Sequence, residues 1–118
     1  MPMKRGDAVI LDVAYVGAPG SKRRPALVVQ NDVLNAAIRE TVIAAITSNL
    51  SNVHQPDQLL IDITMPDGAA TGLSMNSAIR CNRLHTIPQS DVKQVRGSLS
   101  APLMQKIDAC LKSALGIR

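Results

Sequence analysis

Aromatic residues are almost absent: one tyrosine and neither phenylalanine nor tryptophan among 118 residues. Single-stranded nucleic-acid binders of the RRM and OB type stack bases on aromatic side chains, and that mode is closed to this sequence. Any RNA or DNA it holds must be held by arginines, backbone groups and a shaped groove. Cysteine is scarce too. Cys81 and Cys110 stand 29 positions apart, in no CxxC motif and with no histidine at ligand spacing. That argues against a disulfide framework or a zinc site and fits a reducing cytoplasm. No apolar run approaches the ~20 residues of a membrane span. The N-terminus meets Lys4, Arg5 and Asp7 at once, without the apolar stretch of a signal peptide. The nine acids are scattered singly, so no carboxylate pair or divalent-metal cluster is patterned. A glycine-rich phosphate loop and a nucleophile-elbow serine are also missing.

What is present is apolar enough to fold. Hydrophobic residues make up 46%, and 13 Lys+Arg against 9 Asp+Glu leave a net charge of +4. The length predicts one domain over residues 1–118, large enough for a core that needs no metal or disulfide. The first two-thirds reads as strands. In 8–15, Val9, Leu11 and Val13 share a face opposite Asp12, and Gly17, Pro19 and Gly20 mark a loop. Pro25 opens a strand over 26–30 that is apolar on both faces, as is 41–47. Between them, 31–38 predicts a helical turn capped by Asn31 or Asp32. Residues 49–57 predict a loop carrying a solvent-exposed His54. A strand is expected over 58–64 with Leu59, Ile61 and Ile63 inward, then a turn at Pro66-Asp67-Gly68. In 77–82, Ile79 and Cys81 face one side, Arg80 and Asn82 the other. Apolar positions at Leu103, Met104, Ile107, Leu111, Ala114 and Leu115 predict one C-terminal helix, with Ser100 as N-cap and Gly116 as stop. Short strands closed by one helix suggest a small barrel or strongly bent sheet, since closure removes unpaired edges.

Three segments carry the chemistry. Lys22-Arg23-Arg24 is the densest positive charge, placed between a Gly/Pro loop and a core strand. It reads either as a solvated basic tip or as an anion site. On the second reading Arg24, fixed by Pro25, offers a planar fork of donors that suits phosphate oxygens. Thr47-Ser48-Asn49 ends an apolar strand, either as turn chemistry or as hydroxyls that position a phosphate or ribose. The last is Arg80 through His85, where Arg80 and Asn82 project into one groove with Arg83 and His85 beyond, or else pair with acids such as Asp12 or Asp62.

These segments, in this order, resemble the MazF/PemK family of toxin–antitoxin ribonuclease toxins nearly end to end. Lys4-Arg5-Gly6-Asp7 is similar to the family opening, and Arg23-Arg24-Pro25-Ala26-Leu27-Val28-Val29 to its RPALVV strand, with Gln30-Asn31-Asp32 and Asn35 continuing the likeness. Val42 to Ser48 resembles its strand ending in T-S. Ser77 to Asn82 with Thr86-Ile87 lines up with its segment before R-T-I, and Gly97 to Leu115 with its terminal helix region.

The resemblance implies a mainly β chain with α: a small SH3-like β-barrel (the MazF/CcdB-type toxin fold) with a C-terminal helix. It also implies a cytoplasmic homodimer that cleaves single-stranded RNA, mRNA above all, at specific sequences without metal or other cofactor. In such enzymes the ribose 2′-OH attacks its phosphate, leaving 2′,3′-cyclic phosphate and 5′-OH ends. A cognate MazE-like antitoxin would fill the RNA groove with an acidic tail; no membrane is implied. By matching position, Arg24 and Thr47 are the catalytic candidates, with Ser48, Arg80 and Asn82 lining the site. Lys22, Arg23, Arg80 and Arg83 would hold RNA extended along a dimer groove. Arginine is a poor general base, its pKa exceeding ~12; Arg24 is therefore expected to stabilise charge and Thr47 to hold the phosphate. His85, where the family commonly has Arg or Lys, has the right intrinsic pKa for proton transfer. Two departures bear on activity: Asn82 replaces the family's usual Asp, and the first loop lacks the Gly-Ser-Glu-Gln element. The alternatives are a catalytically weak RNA- or antitoxin-binding paralogue, or a gyrase-trapping toxin of the same fold, whose terminal aromatic this chain lacks.

Overall fold

The computed structural model describes residues 2–14 and 17–118. Six strands form one curled antiparallel sheet: β1 (Asp7–Ala14), β2 (Ser21–Val28), β3 (Glu40–Thr47), β4 (Gln58–Ile61), β5 (Ser77–Pro88) and β6 (Val92–Ser98), in the order β4-β5-β3-β2-β1-β6. Three helices accompany it: α1 (Asp32–Ala37), α2 (Pro66–Ala69) and α3 (Ala101–Leu115). The result is a half-barrel with a C-terminal helix, as the sequence predicts. Tyr15 and Val16, at the end of the expected first strand and the start of its loop, lie outside the described residues.

Two apolar clusters explain the runs that are hydrophobic on both faces. Leu27, Ala44, Ile46, Ile61, Ile79 and Cys81 pack on one side of the sheet against Leu103, Ile107 and Cys110 of α3. Val9, Leu11, Ala26, Val28 and Ile43 form a second cluster. Central strands thus lose both faces to the core, each buried aliphatic side chain contributing about 1.5–3 kcal/mol. Val13 departs from this pattern; it is 47% exposed, because β1 there runs beyond the reach of β6, whose last partner is Leu11.

Helix ends follow the capping chemistry. Asn31 accepts the Leu34 N–H at 2.8 Å to start α1. Ser100 accepts from Leu103 N–H at the start of α3, and Gly116, at φ 70°, closes it in the left-handed region. β4 is shorter than expected. The Asp62 carboxylate accepts the backbone N–H and hydroxyl of Thr64 at 2.9 and 2.7 Å, bending the chain out of the strand. α2 takes the place of a simple turn, and its exit crosses to β6: Ser98 N–H donates to the Ala70 carbonyl. A Cβ on Gly97 would collide with that carbonyl, so glycine is what allows the two ends of the sheet to approach.

Candidate active site

The site begins with where β2 starts. The basic run is part of the strand rather than a loop tip: Lys22, Arg23 and Arg24 pair with Val13, Asp12 and Leu11 of β1. Opposed residues share a face, and neighbours along a strand alternate. Arg24 therefore lies with Leu11 and Ala26, and Arg23 turns to the other face, where its guanidinium approaches Asp12 at 3.7 Å. Asp12, one of the acids offered as an alternative partner for the arginines of the β5 segment, thus lies beside Arg23 instead.

On its other side β2 meets β3 only over Ala26↔Ala45, Leu27↔Ala44 and Val28↔Ile43. Continued by two residues, that register would set Pro25 opposite Ile46 and Arg24 opposite Thr47. Val29 N–H donates to Val42 O at 2.9 Å, so by alternation the nitrogen of residue 25 also faces β3. Proline has no hydrogen there to give. The ladder stops, and Arg24 and Thr47 both line the opening beyond its end.

A groove of about 660 Å³ lies over this opening, bringing together Arg24, Thr47, Arg80, Arg83 and His85. Its floor is Leu11, Ala26, Ile43 and Ala45. The pair of alanines across β2 and β3 makes the depth, and Arg80 lies opposite Ala45 on β5. Among the described residues Arg24 has no ion-pair partner; the salt bridges are Arg5–Asp108 and Arg23–Asp12. Arg80 Nε is buried without a hydrogen-bond partner. A buried N–H left unpaired is costly, so this one is a standing cost to the fold beside the groove. Thr47 Oγ1 accepts the Asn49 N–H at 3.1 Å, which leaves its own hydrogen to donate.

β5 is longer than the sequence pattern indicates. Ala45 pairs with Arg80, but Ala44 pairs with Leu84, so Cys81, Asn82 and Arg83 are looped out of register with β3. This bulge breaks the expected alternation of Arg80 and Asn82. Arg83 lines the groove, whereas Asn82 is exposed and lines neither it nor the smaller cleft beside it. His85 stands opposite Ile43, four residues along β3 from Thr47, or about 13 Å of strand. Lys22, Arg23 and Ser48 border the smaller cleft instead. His54 is exposed in the loop before β4. Sequence reasoning missed the floor and Asp12, Thr86 and Asp91 on the groove wall; only strand register could have joined them.

Cys81 is packing, as expected. Burial, and then the neighbouring Cys110, push its thiol up to about 12, so it is neutral and unreactive at pH 7. Among the described residues no three His, Cys, Asp or Glu side chains gather as a metal-ligand set, and no helix is long and apolar enough to cross a membrane.

Comparison with known proteins follows the same line. Residues 4–115 match the family model of the PemK-like, MazF-like toxin of type II toxin–antitoxin system. The chain is 34% identical over 115 residues to a probable endoribonuclease MazF of Mycolicibacterium smegmatis, covering 98% of each. It is 29% identical over 118 residues to endoribonuclease EndoA of Bacillus subtilis, covering 99% of this chain and 97% of that one. Among solved structures, an endoribonuclease in complex with its cognate antitoxin from a mycobacterial species aligns with a TM-score of 0.77 at 19% identity, over 98% of this chain and 97% of that one. A MazE–MazF complex from Deinococcus radiodurans gives 0.76 at 18% identity over 100% of both chains. At these identities the two structures establish a common fold.

Proposed function

Because the chain belongs to the PemK-like, MazF-like toxins of type II toxin–antitoxin systems, we propose that it is an endoribonuclease whose reacting phosphate sits between Arg24 and Thr47. The substrate is single-stranded RNA, mRNA in the cell, cut at a specific sequence. The ribose 2′-oxygen attacks phosphorus and the bond to the 5′-oxygen breaks, leaving a 2′,3′-cyclic phosphate and a 5′-OH. The phosphorane on the way carries more negative charge than the starting diester. Fixed guanidiniums beside it therefore stabilise the transition state more than the ground state.

The observation that carries this reading is the unpaired Arg24 facing Thr47 where the β2–β3 ladder ends. Arg24 supplies the charge, Thr47 donates to a phosphate oxygen, and Arg80, one row further along the sheet, adds the positive charge of its guanidinium. No metal takes part. Arg83 and His85, a further row away, contact the next nucleotides of an extended strand. At about 13 Å along the sheet, His85 serves as a backbone contact; water takes the 2′-OH proton, and Arg24 protonates the departing 5′-oxygen. Lys22 and Arg23 follow the strand at the other end. Asn82, outside the groove lining, takes no part in the chemistry and reads a base only if the RNA leaves the groove over the bulge.

Residues 1–118 act as one toxin domain, working in the cytoplasm as a homodimer. A MazE-like antitoxin neutralises it by laying acidic residues over the arginines of the groove, the only class of charge complementary to it. The test is incubation of the pure protein with RNA in excess EDTA. Fragments ending in cyclic phosphate are expected, and their loss in Arg24→Ala and Thr47→Ala. Undiminished cleavage by Arg24→Ala overturns the site assignment.

A further inference from the structure

The parting of β2 from β3 opens on both faces of the sheet. One opening is the groove; the other is a cleft of about 170 Å³ between the first half of β2 and residues 73–77, which lead into β5. Arg24, Pro25 and Ile46 border both. Whatever anion Arg24 holds in the groove has this cleft immediately behind it, and we infer that the cleft seats the nucleobase adjoining the reacting phosphate. The inference rests on the ribonuclease reading and adds to it where one base is held and by what.

The walls suit a flat, weakly polar ring with a hydrogen-bonding edge. Pro25 and Ile46 face Leu73 and Met75, giving two apolar sides in a chain that has no aromatic ring to offer. A methionine sulfur is polarizable and packs favourably on a π system. Ser48 and Ser74 at the border carry hydroxyls that both donate and accept, matching a base edge of either polarity. Lys22 at the rim answers a flanking phosphate.

The far wall is also built in advance. Gly72, at φ +73°, lies so close to β6 that a Cβ there would strike the Arg96 carbonyl, and Ser77 Oγ donates to the Met75 carbonyl at 2.9 Å. The segment is therefore tied at both ends before RNA arrives, which spares the ordering cost of forming a pocket on binding.

The experiment uses an RNA oligonucleotide carrying one mapped cleavage site and versions in which each nucleotide flanking it is made abasic in turn. Wild-type protein should lose roughly tenfold or more in kcat/KM at one of these positions, the size that one stacked base carries. Met75→Trp, filling the cleft from an exposed position, should cut the parent RNA no faster than the abasic one. Ser74→Trp, filling it from the adjacent position, should do the same. If either well-folded variant slows parent and abasic RNA by the same factor, the base sits elsewhere and the inference falls. Should the wild type cut no RNA, the ribonuclease reading fails by itself. Binding of a short single-stranded RNA and of its fully abasic counterpart then decides the cleft: a preference for the parent that Met75→Trp abolishes supports it, and equal affinity for both, or a preference that Met75→Trp leaves intact, overturns it.

Discussion

Arg24 and Thr47 would stand opposite each other if the β2–β3 register ran on, but they are not joined by it, because the ladder ends two pairs earlier, at Ala26 and Ala45. The residue between is Pro25, whose nitrogen is on the side facing β3. A single missing N–H thus ends the pairing just short of a guanidinium and a hydroxyl that line one groove. The same proline holds Arg24 in extended backbone, so the side chain is aimed by the residue that made the gap.

Replacing Pro25 with valine restores the donor. Pro25→Val is expected to extend the ladder towards Ile46, with the new residue-25 amide protected from hydrogen exchange, and to lower RNA cleavage at least tenfold as the opening closes. Stability should move by less than about 1 kcal/mol, one hydrogen bond gained against the loss of proline's rigidity. Full activity with a protected amide would show that the gap is not what admits the phosphate.

Removing Arg24 or Thr47 should affect chemistry and leave the fold alone. Arg24 is exposed, so Arg24→Ala should keep the wild-type melting temperature and lose a factor on the order of 10²–10³ in kcat, as for other oxyanion donors. Arg24→Lys should recover only part of it, since an ammonium cannot present two parallel donors.

Arg80 gives a prediction of opposite signs. Its Nε–H is buried and unpaired, a standing cost to the fold. Arg80→Met keeps the apolar stem and discards the orphan donor. Thermal melting should show a stability equal to or above wild type, while cleavage and RNA affinity fall. A clear drop in melting temperature would mean that the guanidinium is tied into the fold.

His85 is assigned to binding. In His85→Ala the pH–rate profile should keep its shape between pH 5.5 and 7.5, the range in which an ordinary imidazole titrates, with KM raised. Disappearance of an inflection in that range would place the imidazole in proton transfer at the reacting phosphate.

For Cys81 the sign is set by burial. The folded thiol ionises near 12, the unfolded one near 9. Below pH 9 both forms are protonated and the full contribution to stability is present. As pH rises from 9 towards 12, only the unfolded chain releases the proton, and that contribution is lost. Denaturant unfolding should show a decline over this range that is shallower in Cys81→Ala. A thiol reagent at pH 8 should label native protein far more slowly than unfolded protein.

Much of the fold was legible locally. The two-sided apolar runs at 26–30 and 41–47 announced central strands because both of their faces are buried. Asn31, Ser100 and Gly116 marked helix ends by satisfying orphan backbone groups. Asn35 was visible as part of a familiar motif, but its reason was not. It is 2% exposed, accepting from Thr41 Oγ1 at 2.7 Å and Gln30 Nε2 at 3.0 Å, which pins α1 to the strands on either side. The extra length of β2 and β5 was hidden for a different reason: exposed, charged residues extend a strand when a neighbour pairs with them, and nothing in their own pattern says so.

The sequence by itself determined which side chains are available for chemistry, since guanidiniums, a hydroxyl and an imidazole are properties of side chains and their spacing along the chain. Tertiary structure decided which of them meet. Whether Arg23 or Arg24 enters the groove depends on strand parity, whether Asn82 follows Arg80 depends on a bulge of three residues, and the distance from Thr47 to His85 depends on the β3–β5 register. Each is fixed by pairing between segments far apart in the chain, and a shift of one residue would turn every side chain to the other face.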